Sequence, residues 1–139
     1  MKILFMCVAN SARSQLAEGL AKSIFGPSAE IQSAGSVPTK VNPLAIAVLN
    51  EIGIDISHNH SKIADNLPPK FLASLDYVIT LCAEEVCPIL VNKAKKLHWP
   101  LPDPAGHPEL SHEEKLQLFR NTRDAIKEKL TTFGEELKV

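Results

Sequence analysis

The chain has 139 residues, 45% of them hydrophobic and 22% charged, and a formal net charge of −1 at pH 7. This size and apolar content predict one domain with a sizeable core, spanning residues 1–139. The near-neutral charge argues against a nucleic-acid partner, and the sequence has no apolar run approaching the roughly 18 residues of a membrane span. We therefore expect the ligand to be recognised by a local site rather than by the field of the whole molecule.

The N-terminus and the cysteines predict location and redox state. The opening run MKILFMCV is too short for a secretory signal and lacks a small-residue cleavage site. We therefore expect a cytoplasmic protein, and we expect it to be a monomer. Its three cysteines, Cys7, Cys82 and Cys87, are an odd number and too few for a disulfide framework. In a reducing compartment they indicate chemistry or core packing.

The first part of the chain predicts a strand, a helix and a second strand. Residues 2–8 (KILFMCV) form a short apolar run, which is typical of a buried strand. A helix is predicted over residues 15–25 and ends at Gly26 and Pro27. Residues 29–35 (AEIQSAG) predict the second strand. The inward face of the helix is expected to consist of Leu16, Leu20 and Ile24.

The middle of the chain predicts two helices and a third strand. Asn42 and Pro43 are an N-cap and a first-turn proline for a helix that ends at Gly53. A short helix over residues 68–75 precedes the apolar strand of residues 77–81 (YVITL). The apolar residues that the longer helix is expected to bury are Ile46, Leu49 and Ile52.

The last part predicts a weaker fourth strand over residues 95–101 (KKLHWPL) and a long helix. Ser111 and Glu114 form a capping box that begins this helix. Its inward residues are predicted to be Leu116, Phe119, Ile126, Leu130 and Phe133. Strands that alternate with helices indicate a parallel sheet covered on both faces. The predicted fold class is therefore α/β, a three-layer sandwich around a four-stranded parallel sheet.

Three candidate functional segments follow predicted strands. Ligands of parallel sheets bind beyond the carboxyl ends of the strands. Cys7 follows the first strand, Cys82 the third, and residues 99–103 the fourth. Because parallel strands end at the same edge of a sheet, we expect these three segments to converge.

Residues 7–14 (CVANSARS), here called the anion loop, join the first strand to the first helix. A strand-to-helix turn directs backbone N–H groups at one spot, where the helix dipole also favours negative charge. Asn10 tolerates the left-handed conformation that lets such a loop curl around an anion. Arg13 adds a planar fork for two oxygens of a tetrahedral oxyanion. The N–H donors are expected to come from Val8, Ala9, Asn10, Ser11 and Ala12.

Cys7, at the base of the anion loop, is the predicted nucleophile. The positive potential of the loop favours its thiolate form, and Ser14 is placed to donate a hydrogen bond to it. The plain alternatives are a chance pairing of Cys with Arg and an ordinary buried thiol. The strand before the loop, the helix after it, the serine after Arg13 and the downstream cysteines favour the functional interpretation.

The segment CVANSARSQLAEG (7–19) resembles the Cys-x5-Arg-Ser loop of the low-molecular-weight protein tyrosine phosphatase superfamily. It is most similar to the thioredoxin-coupled arsenate reductases built on that fold. The likeness continues in order through SAG (33–35), VNPLAI (41–46), IDIS (54–57), VITLC (78–82), CPIL (87–90), HWPLPDPAG (98–106) and FRNTRDAIKEK (119–129). It implies a low-molecular-weight phosphatase-like fold with flavodoxin-like topology.

The resemblance also implies a relay of three cysteines. In it, Cys7 attacks arsenate, and Cys82 attacks Cys7, which releases arsenite. Cys87 resolves the Cys7–Cys82 disulfide, and thioredoxin, the expected reductant, reduces the resulting Cys82–Cys87 disulfide. Asp103, which precedes Pro104, matches the general acid of the superfamily. The plain alternatives are two strand-end cysteines without a role and an aspartate that forms an Asx-turn.

No metal and no organic cofactor is expected. Cys82 and Cys87 together with His98 and His107 fall within loose zinc spacing. The histidines are irregularly placed, however, and no second close pair of ligands accompanies them, which disfavours zinc.

Some reductases of the resembled group bind potassium beside the anion loop. Asn10, Glu18 and Ser33 match that site, whereas Lys62 stands where a carboxylate would be expected. The Lys62 ammonium can replace the ion, so we expect no potassium requirement. Ala9 is a further departure, because the group usually has glycine there.

Two functions share the predicted anion loop. A phosphomonoester hydrolase would use Cys7 and Asp103, as a reductase does, but it gives the downstream cysteines no task. Tyrosine-specific phosphatases usually have aromatic residues after the Asp-Pro pair, whereas Ala105 and Gly106 follow here, leaving Trp99 as a candidate for one wall of the slot. Arsenate reduction is therefore the predicted function, with phosphomonoester hydrolysis as the alternative. A silent anion-binding regulator, the third class, is disfavoured by Cys7 with Asp103.

Overall fold

The computed structural model describes residues 1–83 and 93–137. The strands and helices follow one another in the order that the sequence predicts. The elements are β1 (Lys2–Cys7), α1 (Arg13–Phe25), β2 (Glu30–Gly35), α2 (Pro43–Asn50), α3 (Pro69–Ala73), β3 (Tyr77–Thr80), β4 (Lys95–His98) and α4 (His112–Leu137). Among the described residues, no helix combines the length and the apolar character that a membrane crossing requires.

The strands form one parallel sheet in the order β2-β1-β3-β4. The register pairs Cys7 with Gly35 of β2, and Met6 with Thr80 of β3. This is the beginning of the flavodoxin-like order, and it changes direction at β1. Because a crevice opens where the strand order reverses, the topology places the end of β1, and therefore Cys7, at the expected ligand position.

Both faces of the sheet are covered, which confirms the predicted three-layer α/β sandwich. Successive residues of a strand point to opposite faces. Ile3 and Phe5 of β1 belong to a core cluster with buried residues of α1, α2 and α4. Leu4 and Met6 belong to a second cluster, which includes Phe71 of α3.

The predicted inward faces of α1 and α2 are wrong in part. Ile24 is 38% exposed and Ile52 is 39% exposed. In the last turn of α1 the core lies on the side of Phe25, whose ring packs against Phe133 of α4, so Ile24 faces solvent. Ile52 lies beyond α2, which already ends at Asn50. The residues of α2 that are buried are Ala45, Val48 and Leu49.

The predicted helix caps are confirmed. Asn42 Oδ1 accepts a hydrogen bond of 2.9 Å from the Leu44 N–H at the start of α2. At the start of α4, Ser111 Oγ accepts from the Glu114 N–H at 3.2 Å, and the Glu114 carboxylate accepts from the Ser111 N–H at 3.1 Å. The hydrogen bonds from Ser111 hold the pKa of Glu114 below its ordinary value.

Replacing Ser111 with alanine should lower the free energy of unfolding by about 1 kcal/mol, because the Glu114 N–H loses its acceptor. Urea denaturation at pH 7 measures this difference. The contribution of Glu114 should be lost as the pH falls through its lowered pKa, since the carboxylate is then protonated. Ser23→Ala, at an exposed position of α1, is the control, and an equal loss in both variants would contradict a capping role.

Candidate active site

The anion loop leaves β1 at Cys7 and enters α1 at Arg13. Asn10 has a φ of 49° and is the one non-glycine residue with positive φ in residues 1–83 and 93–137. Asparagine is among the few residue types that tolerate this left-handed conformation. The structure thus bears out the conformation predicted for Asn10 from the sequence.

The carbonyl groups of the loop are satisfied from outside the loop or from α1. Their donors are Val37 N–H for Val8 (2.9 Å), Thr39 N–H for Ala9 (3.2 Å), Ser61 Oγ for Asn10 (2.6 Å), Asn42 N–H for Ser11 (3.0 Å) and Leu16 N–H for Ala12 (2.9 Å). In a trans peptide the N–H points opposite to the preceding carbonyl. The N–H groups that follow these carbonyls are therefore directed to the inside of the loop, as an anion site requires.

Cys7 is a buried free thiol at the base of the loop. Its sulfur lies 2.9 Å from Ser14 Oγ. The Asn10 amide nitrogen donates to the same Ser14 oxygen at 2.7 Å. When Cys7 is a thiol, either Cys7 Sγ or Ser14 Oγ can be the donor of their hydrogen bond. A thiolate at Cys7 would accept this bond, which is charge-assisted.

Gly35 allows β2 to approach the loop closely. A Cβ at this position would lie 2.4 Å from the Val8 carbonyl oxygen and 2.9 Å from the Asn10 nitrogen, both backbone atoms. Real side chains do not make such contacts, so glycine is required here for steric reasons. The sequence alone indicates this glycine only as the last residue of SAG (33–35), one of the segments that resemble the arsenate reductases.

Arg13 connects the loop to the segments that follow β3 and β4. Its guanidinium is buried and donates from Nη1 to the Leu101 carbonyl at 2.9 Å and to the Leu81 carbonyl at 3.4 Å. Its Nη2 lies 3.8 Å from Asp103 Oδ2. The predicted convergence of three strand ends is therefore observed, and Arg13 is the side chain at which they meet.

Asp103 has features of both interpretations made from the sequence. Its Oδ1 accepts from the Ala105 N–H at 3.0 Å, which is the Asx-turn. Its Oδ2 faces Arg13, and the side chain is 47% exposed. His107 Nε2 lies 3.2 Å from the Asp103 carbonyl and closes the same turn. The turn therefore holds the carboxylate beside the anion loop, and its role as an acid stays a prediction.

Cys82 lies two residues beyond β3, at the same edge of the sheet as Cys7. It is 1% exposed and is disulfide-bonded. Its neighbour Leu81 carries the carbonyl to which Arg13 donates. Cys87 falls in residues 84–92, outside the described residues.

Trp99 and Tyr77 both pack against Phe133 of α4. Trp99 packs edge-on against Phe133 of α4, with ring centroids 5.6 Å apart. Tyr77 begins β3 and pairs with Ile3, at the end of the sheet opposite to Cys7. The Trp99 ring therefore packs against the core cluster, and Trp99 as a wall of the slot stays a prediction.

The carboxylate of Glu18 is buried beneath the loop among four polar groups, three of which donate hydrogen bonds to it. They are Ser33 Oγ at 2.6 Å, Lys22 Nζ at 2.9 Å, Asn59 Nδ2 at 3.3 Å and Lys62 Nζ at 3.7 Å. Burial lowers the pKa of Lys62, and the charge of Glu18 opposes this shift. The ammonium of Lys62 contacts the carboxylate that a potassium ion would use, so these residues do not fit an additional cation. In the part of the chain that the structure describes, no group of three or more His, Cys, Asp or Glu is placed to hold a metal ion.

Sequence reasoning missed the residues that hold Asn10. Gln15 is fully buried, and its Nε2 donates to Asn10 Oδ1 at 3.1 Å and to the His60 carbonyl at 3.2 Å. Ser61 donates to the Asn10 carbonyl. One signal in the sequence could have indicated Gln15, because a glutamine at a buried position of a predicted helix needs a polar partner. The polar run of residues 57–62 gave no indication of its target.

Comparisons with known proteins agree with this geometry. Residues 2–139 match the sequence model of the low molecular weight phosphotyrosine protein phosphatase family. A curated arsenate reductase from Halalkalibacterium halodurans is 42% identical over 135 residues, which cover 96% of this chain and 94% of that protein. The predicted resemblance to this superfamily and to its arsenate reductases is confirmed.

Solved structures give the same result. One described as an arsenate reductase in the phosphate binding state is 31% identical, with a TM-score of 0.76 and 97% of each chain covered. A thioredoxin-dependent arsenate reductase from Corynebacterium glutamicum is 29% identical, with a TM-score of 0.69, and the match covers 97% of this chain and 62% of that one. The predicted low-molecular-weight phosphatase-like fold is confirmed.

Gly35→Ala should weaken the binding of inorganic phosphate by roughly tenfold or more, because the added Cβ displaces the backbone of Val8 and Asn10. Isothermal titration calorimetry measures the affinity, and far-ultraviolet circular dichroism checks the fold. Ser36→Ala, at the exposed neighbouring position, should bind phosphate normally. Unchanged affinity in the folded Gly35→Ala variant would contradict the close approach.

Lys62→Ala should make the thermal stability of the protein respond to potassium. The wild type should melt at the same temperature in potassium chloride and in choline chloride of equal ionic strength, because Lys62 already supplies the positive charge. In the variant, potassium can approach Glu18, and we expect it to raise the melting temperature by roughly 3–5 °C. Lys70→Ala, at an exposed lysine of α3, is the control. A variant that does not distinguish the two salts would disprove this account.

Proposed function

We propose that this chain, which belongs to the low molecular weight phosphotyrosine protein phosphatase family, is an arsenate reductase that uses a cysteine relay and thioredoxin. One observation carries the proposal. Cys7 lies free under the anion loop, and Arg13 of that loop is hydrogen-bonded to Leu81, the residue before Cys82. Arsenate reduction gives both cysteines a task, whereas phosphate-ester hydrolysis uses only the first.

The first step is binding and attack. The inward N–H groups of the anion loop and the guanidinium of Arg13 hold the oxygens of arsenate. The Cys7 thiolate, with the Ser14 hydroxyl at 2.9 Å, attacks the arsenic atom. An arsenic–sulfur bond forms and one arsenic–oxygen bond breaks. Asp103 is the proposed acid that protonates the leaving oxygen as water.

The second step moves electrons. The Cys82 thiolate attacks the Cys7 sulfur, so a disulfide forms while the arsenic–sulfur bond breaks. The electron pair of that bond stays on arsenic, which is reduced from As(V) to As(III) and leaves as arsenite. The two sulfurs can bond only if their Cα atoms come within roughly 4.4–6.8 Å. The Arg13–Leu81 hydrogen bond favours this approach, because it ties the start of the Cys82 segment to the loop.

The third step regenerates the enzyme. Cys87 attacks Cys82, which frees the Cys7 thiolate and leaves a Cys82–Cys87 disulfide. A thioredoxin dithiol then reduces this disulfide and is itself oxidised, so the electrons given to arsenic are replaced. The thioredoxin-dependent relative from Corynebacterium glutamicum supports this choice of reductant. A cytoplasmic location and a monomeric state remain predictions from the sequence.

The relay is tested by trapping its intermediates. Cys82→Ser should stop at the Cys7–arsenic adduct and release no arsenite. Cys87→Ser should accumulate the Cys7–Cys82 disulfide and complete at most one turnover with thioredoxin. Mass spectrometry after one equivalent of arsenate and alkylation identifies the protected cysteines. In the wild type without thioredoxin, Cys82 and Cys87 should be protected and Cys7 alkylated.

The same variants separate the two functions. Hydrolysis of para-nitrophenyl phosphate should survive in Cys82→Ser and Cys87→Ser, because Cys7, Arg13 and Asp103 are intact. Cys7→Ser should abolish both activities, since it removes the nucleophile. If all three thiols of the wild type are alkylated and no arsenite appears, the reductase proposal fails and phosphomonoester hydrolysis takes its place.

A further inference from the structure

We propose that Ser61 is a positioning residue for the nucleophile. Its hydroxyl holds the Asn10 peptide in the left-handed conformation, and Asn10 in turn directs the proton of Ser14 at the Cys7 sulfur. The proposal rests on the proposed function only in taking Cys7 as the reactive thiol. It concerns residues that lie more than 50 positions apart in the sequence, since Ser61 and Asn10 are separated by 51.

The orientation of the Asn10 side chain is fixed by a backbone donor. Its Oδ1 accepts from the Lys62 N–H at 3.0 Å, and a backbone N–H can only donate. The side-chain atom at this position is therefore the oxygen, and the amide nitrogen faces the other way. That nitrogen donates to Ser14 Oγ at 2.7 Å and to Ser33 Oγ at 3.0 Å.

This orientation keeps the Asn10 amide oxygen away from the Ser14 proton. Ser14 has a single hydroxyl proton, and its oxygen already accepts from Asn10. When Cys7 is the thiolate it has no proton to donate, so the Ser14 proton is directed at Cys7 Sγ, 2.9 Å away. If the Asn10 amide turned over, its oxygen would face Ser14 and would compete with Cys7 for that proton. The hydrogen bond to the thiolate thus depends on the conformation of Asn10.

The conformation of Asn10 needs external support. A left-handed backbone is disfavoured for a residue with a side chain, and the Asn10 φ is 49°. Its carbonyl accepts a hydrogen bond of 2.6 Å from Ser61 Oγ and one of 3.3 Å from Gln15 Nε2. Ser61 makes the shorter of the two bonds, and without its hydroxyl the carbonyl keeps only the longer one.

The two residues on either side of Ser61 are each held by a hydrogen bond. The Lys62 carbonyl accepts from the Gly35 N–H at 2.9 Å, at the end of β2. The His60 carbonyl accepts from Gln15 in the first turn of α1 at 3.2 Å. Ser61 therefore presents its hydroxyl from a fixed backbone, which is what a positioning role requires.

The test measures the reactivity of Cys7 directly. In a chain that carries Cys82→Ser and Cys87→Ser, Cys7 is the remaining thiol, and its rate of alkylation by iodoacetamide is followed from pH 5 to pH 9. Ser61→Ala should move this pH profile to higher pH. It should also weaken the binding of inorganic phosphate about three- to tenfold, the usual worth of one hydrogen bond. Ser61→Thr, which keeps the hydroxyl, should restore both properties.

Ser57→Ala is the matched control, because Ser57 lies in the same segment, is exposed and contacts Asp55 instead of the anion loop. It should leave the profile and the phosphate affinity unchanged. If Ser61→Ala lowers the melting temperature but shifts neither the alkylation profile nor the affinity, Ser61 is only a structural residue and the proposal is wrong. Neither readout uses arsenate, so failure of the reductase proposal and failure of this one are distinguished.

Discussion

The hydrogen bonds of Asn10 are the constraint on which the site depends. The residue has no exposed surface, and its carbonyl, its amide oxygen and its amide nitrogen all have partners. These partners are Ser14 of α1, Ser33 of β2 and residues 61–62, so one residue joins three parts of the fold. A buried polar group is tolerated only when it is paired in this way. This pairing favours the left-handed conformation of Asn10 that shapes the loop.

The charges beneath the loop explain how an anion site can lie above a buried carboxylate. Glu18 is 2% exposed and would by itself repel an oxyanion. Lys22 and Lys62 both contact it, so this buried cluster is not a net negative charge under the loop. In the proposed function, we therefore expect the oxyanion to interact mainly with Arg13 and the inward N–H groups. Replacing Lys62 with a short residue would remove one of these two cations. Among the described groups that contact Glu18, Lys22 would then be the one remaining positive charge.

The sequence predicted what local patterns determine and missed what tertiary contacts determine. The strands, the caps at Asn42 and Ser111 and the left-handed Asn10 follow from neighbouring residues, and the structure agrees. The exposure of Ile24 depends on which side of α1 faces α4, which helical periodicity alone does not decide. Ser61 was missed because its partner lies 51 residues away. The segment with Cys87 lies outside the described residues, so its part of the relay is still a prediction.

Arg13 explains how one anion loop can serve two chemistries. Its Nη1 is hydrogen-bonded to the carbonyls of Leu81 and Leu101, which lie before Cys82 and Asp103 respectively. An oxyanion held by the guanidinium is therefore coupled to both the thiol segment and the acid segment. Hydrolysis of a phosphate ester would need only Cys7 and the acid, whereas reduction would need a second thiol that reaches the first. The loop itself would serve either reaction, and in the proposed relay it is Cys82, the residue after Leu81, that would allow the bound oxyanion to be reduced as well.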